Sequence, residues 1–191
     1  TYTYDNDGAY CIWNSFFDGN DNICEFDLDF FVRQPSGLYM RGEEVQFDEA
    51  IKETEIPEHI AKKIQEYKEK GYKTIAIISK TNLLSNYIND DLSMLGINIP
   101  NVNPNDDLSD DKFRVCTISN QLAKGLEFDA VIINNANEKM YSSDSQLDMK
   151  LLYVAITRAL HELDIVYSGT LTEPLKNYQK KSEGKKLSLT K

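Results

Sequence analysis

The stretch Phe113 to Asn134, FRVCTISNQLAKGLEFDAVIIN, decides how the rest of the chain is read. Phe113 to Ile118 and Ala130 to Asn134 are short, mostly apolar runs, rich in β-branched residues and too brief for helices. Runs of that kind form strands covered on both faces, as in parallel sheets. Between them lies Ser119 to Asp129, which is polar and contains Lys124-Gly125. In an open parallel sheet, ligands bind on the loops at the carboxyl ends of strands. This segment is therefore a candidate binding loop.

Working towards the N-terminus, Thr74 to Ile78 (TIAII) is another continuous apolar strand. It is flanked by two helical patterns. Ile60, Ile64 and Tyr67 fall at i, i+4 and i+7 over Pro57 to Lys70, with Gly71 placed as a C-cap. Thr81 or Asn82 can cap a second helix running to about Leu95, which Gly96 ends. Asn98 to Asp111 reads as a loop. Further upstream, Phe26, Leu28, Phe30 and Val32 alternate as a strand, Pro35-Ser36-Gly37 turns, and Leu38 to Phe47 returns as a second strand. Residues 1–24 show no clear period and read as irregular, or as the remnant of an element that begins upstream.

Towards the C-terminus, Gln146 to His161 reads as a long helix and Leu163 to Tyr167 as a final strand. The lysine-rich stretch 176–191 is a polar tail of the composition of disordered segments. Strands alternating with helices imply an α/β domain around a mostly parallel sheet, spanning 25–175.

Composition narrows the function. With 41% apolar residues in 191, the chain is long enough for one well-buried core. The formal net charge of −10 argues against strong autonomous binding to nucleic acid. A few contacts made beside a partner that supplies the charge are compatible with it. Cys11, Cys24 and Cys116 have neither disulfide-framework nor zinc spacing, which fits reduced thiols in a cytoplasmic protein. No apolar run approaches a membrane span, and no leader pattern opens the chain. A start at Thr1 rather than Met fits a piece of a longer protein.

Two segments carry the chemistry. In the first, Lys124-Gly125 permits a tight turn beside a cation, and Glu127 is an acceptor suited to a sugar hydroxyl. A plain surface turn with solvated Lys and Glu satisfies the same spacing. In the second, LDMKLLYVAITRALH at Leu147 to His161, Arg158 falls among apolar positions at i+4 from Val154 and i+7 from Leu151. A buried guanidinium needs an anion or a carboxylate. Either Arg158 forms an internal ion pair, with Asp148 or Glu127, or it binds phosphate through its planar fork.

The two segments, AKGLEFDAVII and then LLYVAITRALHEL, resemble the fifth and sixth motifs of superfamily 1 helicases of the UvrD and Rep type. The wording, with the closing SGTLTEPL and the earlier TIAIISK, is most similar to the helicase IV (HelD-like) branch. The short interval from Leu95 to Phe113, which leaves no room for the large UvrD-type accessory insertion, fits the same branch. The resemblance covers about residues 56–175. It implies a C-terminal RecA-like domain that closes over ATP held by a separate N-terminal RecA-like domain. By motif position Arg158 is implied as the arginine finger, Glu127 as the ribose contact, and Lys124 and Gly125 as the loop linking nucleotide to the nucleic-acid track. Ser119 and Gln121 stand where relatives contact single-stranded DNA, although many of those carry Thr and His there. The family's Tyr-Arg-Ser-Thr motif is not recognisable in residues 1–24.

No G-x-x-x-x-G-K-[ST] is present. Gly184-Lys185 is followed by Lys186, and VIINNANE at Val131 to Glu138 lacks the Asp-Glu pair of a magnesium strand. ATP and magnesium are thus expected only together with the N-terminal motor domain, and the chain alone is expected to be inactive. The expected parent is a DNA helicase or translocase. The alternative, fitting the acidic charge, is a HelD-like ATPase that binds RNA polymerase and remodels transcription complexes.

Overall fold

The computed structural model describes residues 2–6, 9–18, 23–33, 39–41, 45–47, 50–108 and 110–176, with side chains for 50–108 and 110–176. The tail 177–191 lies outside the described residues. Backbone pairing divides the chain into one unit of 1–44 with 173–191 and another of 45–172. This boundary falls some twenty residues after the one expected at 24/25.

The first unit is an antiparallel meander of β1 (Tyr2–Asn6), β2 (Ala9–Asp18), β3 (Ile23–Arg33) and β4 (Tyr39–Arg41). The alternation over Phe26 to Val32 did mark a strand. The irregular reading of 1–24 is corrected, because β2 pairs with β3 from Ala9↔Val32 to Asp18↔Ile23. Tyr10, Ile12 and Phe16 share β2 with Cys11, Trp13 and Phe17, so apolar residues occupy both alternations and the period of two disappears. Leu38 to Phe47 does not form one returning strand. Tyr39–Arg41 pairs with β3, while β5 (Val45–Phe47) joins the other sheet.

The second unit holds five parallel strands in the order β5-β9-β8-β6-β7, with β6 at Ile75–Ser79, β7 at Val115–Ser119, β8 at Phe128–Ile133 and β9 at Ala159–Ile165. Helices α1 (Ile56–Glu69) and α2 (Asn82–Met94) cover one face. Ile60, Ile64 and Tyr67 from α1 and Ile88 and Leu92 from α2 pack with Ile75, Ile77, Ala130 and Ile132 of the sheet. Burying each large aliphatic side chain contributes about 1.5–3 kcal/mol, so this layer anchors the unit. Helix α3 (Gln146–Ile156) runs from the end of β8 back to β9. Among the described residues no helix is long and apolar enough to cross a membrane.

Helix α3 is five residues shorter than the sequence suggests. The Thr157 hydroxyl donates to the carbonyls of Tyr153 and Val154, both at 3.0 Å, and Arg158 Nε donates to Val154 O at 3.0 Å. The Val154 carbonyl would otherwise be left open at the helix end, whereas Tyr153 O also accepts from Thr157 N at 3.1 Å. Phe128 N then donates to Arg158 O at 2.9 Å, drawing the backbone into the sheet, and β9 starts at Ala159. Arg158 therefore stands on the α3–β9 turn rather than within a helix.

Strand β9 also hides its period, because Glu162 and Asp164 are buried at 2% and 0% exposure. Each is matched from the α1 side. Glu162 accepts from Lys70 Nζ at 2.6 and 2.7 Å and from the Tyr72 hydroxyl at 2.9 Å. Asp164 lies 3.2 Å from Lys63 Nζ. Buried carboxylates persist only with such partners.

Candidate functional site

The segment from Ser119 to Phe128 is a chain of tight turns. Ser119 O accepts from Leu122 N at 3.0 Å and Ala123 N at 2.9 Å, and Leu126 N donates to Ala123 O at 3.1 Å. Ala123 is fully buried and pins the middle of the segment. Gly125 has φ +85°, a conformation that costs L-residues with a Cβ about 1–2 kcal/mol. Glycine is needed there for the backbone to reverse into β8.

Because β6, β7 and β8 run parallel, this segment starts at the carboxyl end of β7 and finishes at the amino end of β8. The sequence reads it as a ligand loop of the kind found at the carboxyl ends of strands. Instead its two ends lie on opposite edges of the sheet, because β8 must begin where β7 began. Ser119 and Gln121 belong to one edge, Glu127 to the other.

At the amino edge, Phe128 pairs with Ala159, so the residues preceding them, Glu127 and Arg158, are neighbours. Arg158 Nη1 donates to Leu126 O at 3.0 Å, and Nη2 donates to Thr157 Oγ1 at 3.0 Å. Among the described residues Arg158 forms no ion pair with Asp148, which Lys80 holds, and carbonyl and hydroxyl oxygens take the guanidinium. Three of its five N–H groups are used, through Nε, Nη1 and Nη2. The other two have no acceptor among the described residues. Lys124, Gly125 and Glu127 are exposed beside it.

At the carboxyl edge, Gln121 is exposed, whereas Ser119 is 1% exposed and its Oγ has no hydrogen-bond partner among the described residues. Asn120 is fully buried, donating from Nδ2 to the Tyr141 hydroxyl at 3.3 Å. Burial pushes the Tyr141 phenol far above its ordinary range.

Sequence reasoning passed over Lys80. It follows the last residue of β6 with its ammonium 2.7 Å from Asp148 Oδ1 and 5.7 Å from the Tyr141 ring centre. Burial acts to raise the Asp148 carboxyl, but the Lys80 ammonium and the Ser142 amide outweigh it and hold it below the ordinary value. The pair ties β6 to the first turn of α3. The sequence signal was only a lysine directly after an apolar strand. Among the described residues no group of three or more His, Cys, Asp or Glu side chains could hold a metal ion.

A parallel sheet flanked by helices, with loops that return arginine and glutamate to one edge, defines an α/β domain of RecA-like type. Residues 114–166 match the family of UvrD-like helicase C-terminal domains, and this stretch contains both motif segments. The chain is also similar to the crystal structure of the C-terminal domain of a possible DNA helicase from Lactobacillus plantarum WCFS1. Identity is 27% and the TM-score 0.59, covering 69% of this chain and 77% of that one. The second unit is therefore similar to helicase C-terminal domains, with the UvrD-like likeness confined to residues 114–166. Two further structures align at lower similarity. They are the C-terminal part of the Fun30 ATPase domain (16% identity, TM-score 0.39, 64% of this chain and 44% of that one) and an arterivirus nonstructural protein 10 helicase in complex with DNA (11%, 0.41, 86% and 42%). No curated protein matches the chain.

Proposed function

We propose that this chain is the second motor half of an ATP-driven DNA helicase or translocase, supplying Arg158 and Glu127 to ATP held by a companion N-terminal RecA-like domain. The observation that carries the reading is the juxtaposition of Arg158 with the Leu126–Glu127 backbone at the amino ends of β8 and β9. Two backbone oxygens and the Thr157 hydroxyl fix the guanidinium, leaving two N–H groups for a phosphate. A preorganised cation of this kind stabilises charge that develops on a transferring phosphoryl group. Glu127, exposed one residue away from Leu126, suits a ribose hydroxyl. Lys124 and Gly125 would couple this edge to Gln121 and Ser119, which are the candidates for single-strand contact. Ser119 would need a local opening to reach a strand. Magnesium would be held by the companion domain.

The test is to join the chain to its natural upstream motor domain and follow ATP turnover with and without single-stranded DNA. Stimulated turnover by the joined protein, with none from the chain alone, supports the reading. Turnover indifferent to the presence of residues 45–172 contradicts it.

The net charge of −10 favours a second reading, a HelD-like ATPase acting on RNA polymerase. Stable co-purification of the parent with RNA polymerase, together with ATP turnover indifferent to single-stranded DNA, would select that reading.

A further inference from the structure

At the carboxyl edge of the parallel sheet, on the α1–α2 face, a groove of about 460 Å³ opens between the start of α1, the flank of α2 and the segment after β8. It lies at the opposite edge from Arg158 and Glu127. Its apolar lining includes Pro57, Leu84, Ile88 and Met140. Three carboxylates, Glu53, Asp90 and Asp91, line it too, and among the described residues no lysine or arginine does. None of the three is in an ion pair among the described residues.

Tyr87 forms part of the same lining and is 56% exposed. It continues outward as a stripe along α2. Leu83, one turn before it, is 57% exposed, and Met94, two turns after it, is 79% exposed. Exposed large apolar side chains aligned at i, i+4 and i+11 on one helix are a mark of an interaction face rather than of scattered surface residues. The charge selects the partner. Phosphates would be repelled by three carboxylates, whereas a lysine or arginine flanked by apolar side chains gains both an ion pair and the Tyr87 ring face. The stripe extends beyond the groove, so the surface suits a polypeptide better than a small cation.

We propose that this groove and the α2 stripe dock a basic segment of a partner protein, with an apolar side chain seated against Leu84 and Met140 and flanking cations met by Glu53, Asp90 and Asp91. The interaction is separate from the proposed nucleotide edge and does not depend on it.

The probe is a fluorescein-labelled 12-residue peptide of Lys, Arg, Leu and Phe, compared with the same peptide carrying Glu in place of Lys and Arg. Binding to the full 191-residue chain is read by anisotropy and mapped by amide chemical shifts. The basic peptide should bind, the acidic one should not, and shifts should centre on Leu84, Tyr87 and Met140. The double variant Asp90→Asn/Asp91→Asn should weaken binding about fivefold or more, and Tyr87→Ala about tenfold. A charge-matched control, Glu69→Gln/Asp144→Asn, should change it less than about twofold. Thermal melts confirm that each variant is folded. Equal loss in the control pair, equal binding of the acidic peptide, or shifts centred elsewhere would overturn the proposal. So would displacement of the peptide by a single-stranded oligonucleotide acting at the groove.

Discussion

Replacing Arg158 by alanine should destabilise the parallel-sheet unit whatever it does to catalysis. The side chain makes hydrogen bonds to Val154 O, Leu126 O and Thr157 Oγ1, each at 3.0 Å. A typical intramolecular hydrogen bond contributes a net ~1 kcal/mol, more when the donor is charged. The Arg158 bonds are partly buried and share a neighbourhood, so simple addition overstates them, and about 2–3 kcal/mol is the expected loss. For a chain of this size that corresponds to a fall of roughly 5–10 °C in Tm. The assay is a urea titration of the domain with a thermal melt, beside Thr157→Ala, which removes the hydroxyl bonds to Tyr153 O and Val154 O. Hydrogen exchange should also quicken at the amides of Thr157 and Arg158, which bond Tyr153 O and Ala155 O at the frayed helix end. If Arg158→Ala melted with the wild type while Thr157→Ala did not, the guanidinium would not be the cap described. The practical consequence is that a turnover assay on this variant needs a temperature well below its own melting point.

Three further expectations follow from the same geometry. Asp129 sits below its ordinary pKa, because the amides of Thr74 and Lys73 outweigh the opposing effect of burial, and Asp148 is lowered through Lys80 and Ser142. For carboxyls depressed on folding, the stabilisation is complete above the unfolded pKa and is lost as pH falls through the folded one. Stability should therefore decline from about pH 4 downward, less steeply in Asp129→Asn, as read by urea midpoints at stepped pH. Gly125→Ala should cost about 1 kcal/mol by the same urea assay, from the φ of +85°, since among the described residues no atom beyond its chain neighbours lies within 4 Å of an added Cβ. Burial pushes the Cys116 thiol up to about 12, so in a Cys11→Ser/Cys24→Ser background it should resist maleimide until the protein unfolds.

The parallel sheet was legible because β6, β7 and β8 are apolar on both faces, and α1 and α2 carry a clean helical period. The end of α3 was not, since Leu160 continues an apolar helical stripe that Thr157 and Arg158 interrupt only through their own hydrogen bonds. Strand β9 was partly hidden because Glu162 and Asp164 point inward, towards lysines of α1 and its C-terminal turn that no local window reveals. The meander over Tyr2 to Arg41 was half visible. Its apolar residues fill both alternations of β2, so only β3 announced itself.

At the site, Arg158 and Glu127 were found from motif wording, yet their closeness comes from the Phe128↔Ala159 register, which spacing cannot give. Lys80 carried no signal of its own beyond its place after a strand. The acidic groove beside α2 is a product of three segments distant in sequence.

The most direct test of the central claim is single-strand-stimulated ATP turnover by the joined two-domain protein, wild type against Arg158→Ala, at a temperature where both are folded. The account predicts a loss of about 10³-fold or more, the effect expected of an arginine that stabilises phosphoryl transfer. Unchanged turnover in a folded variant would make Arg158 a helix cap alone and contradict the proposed role of this edge.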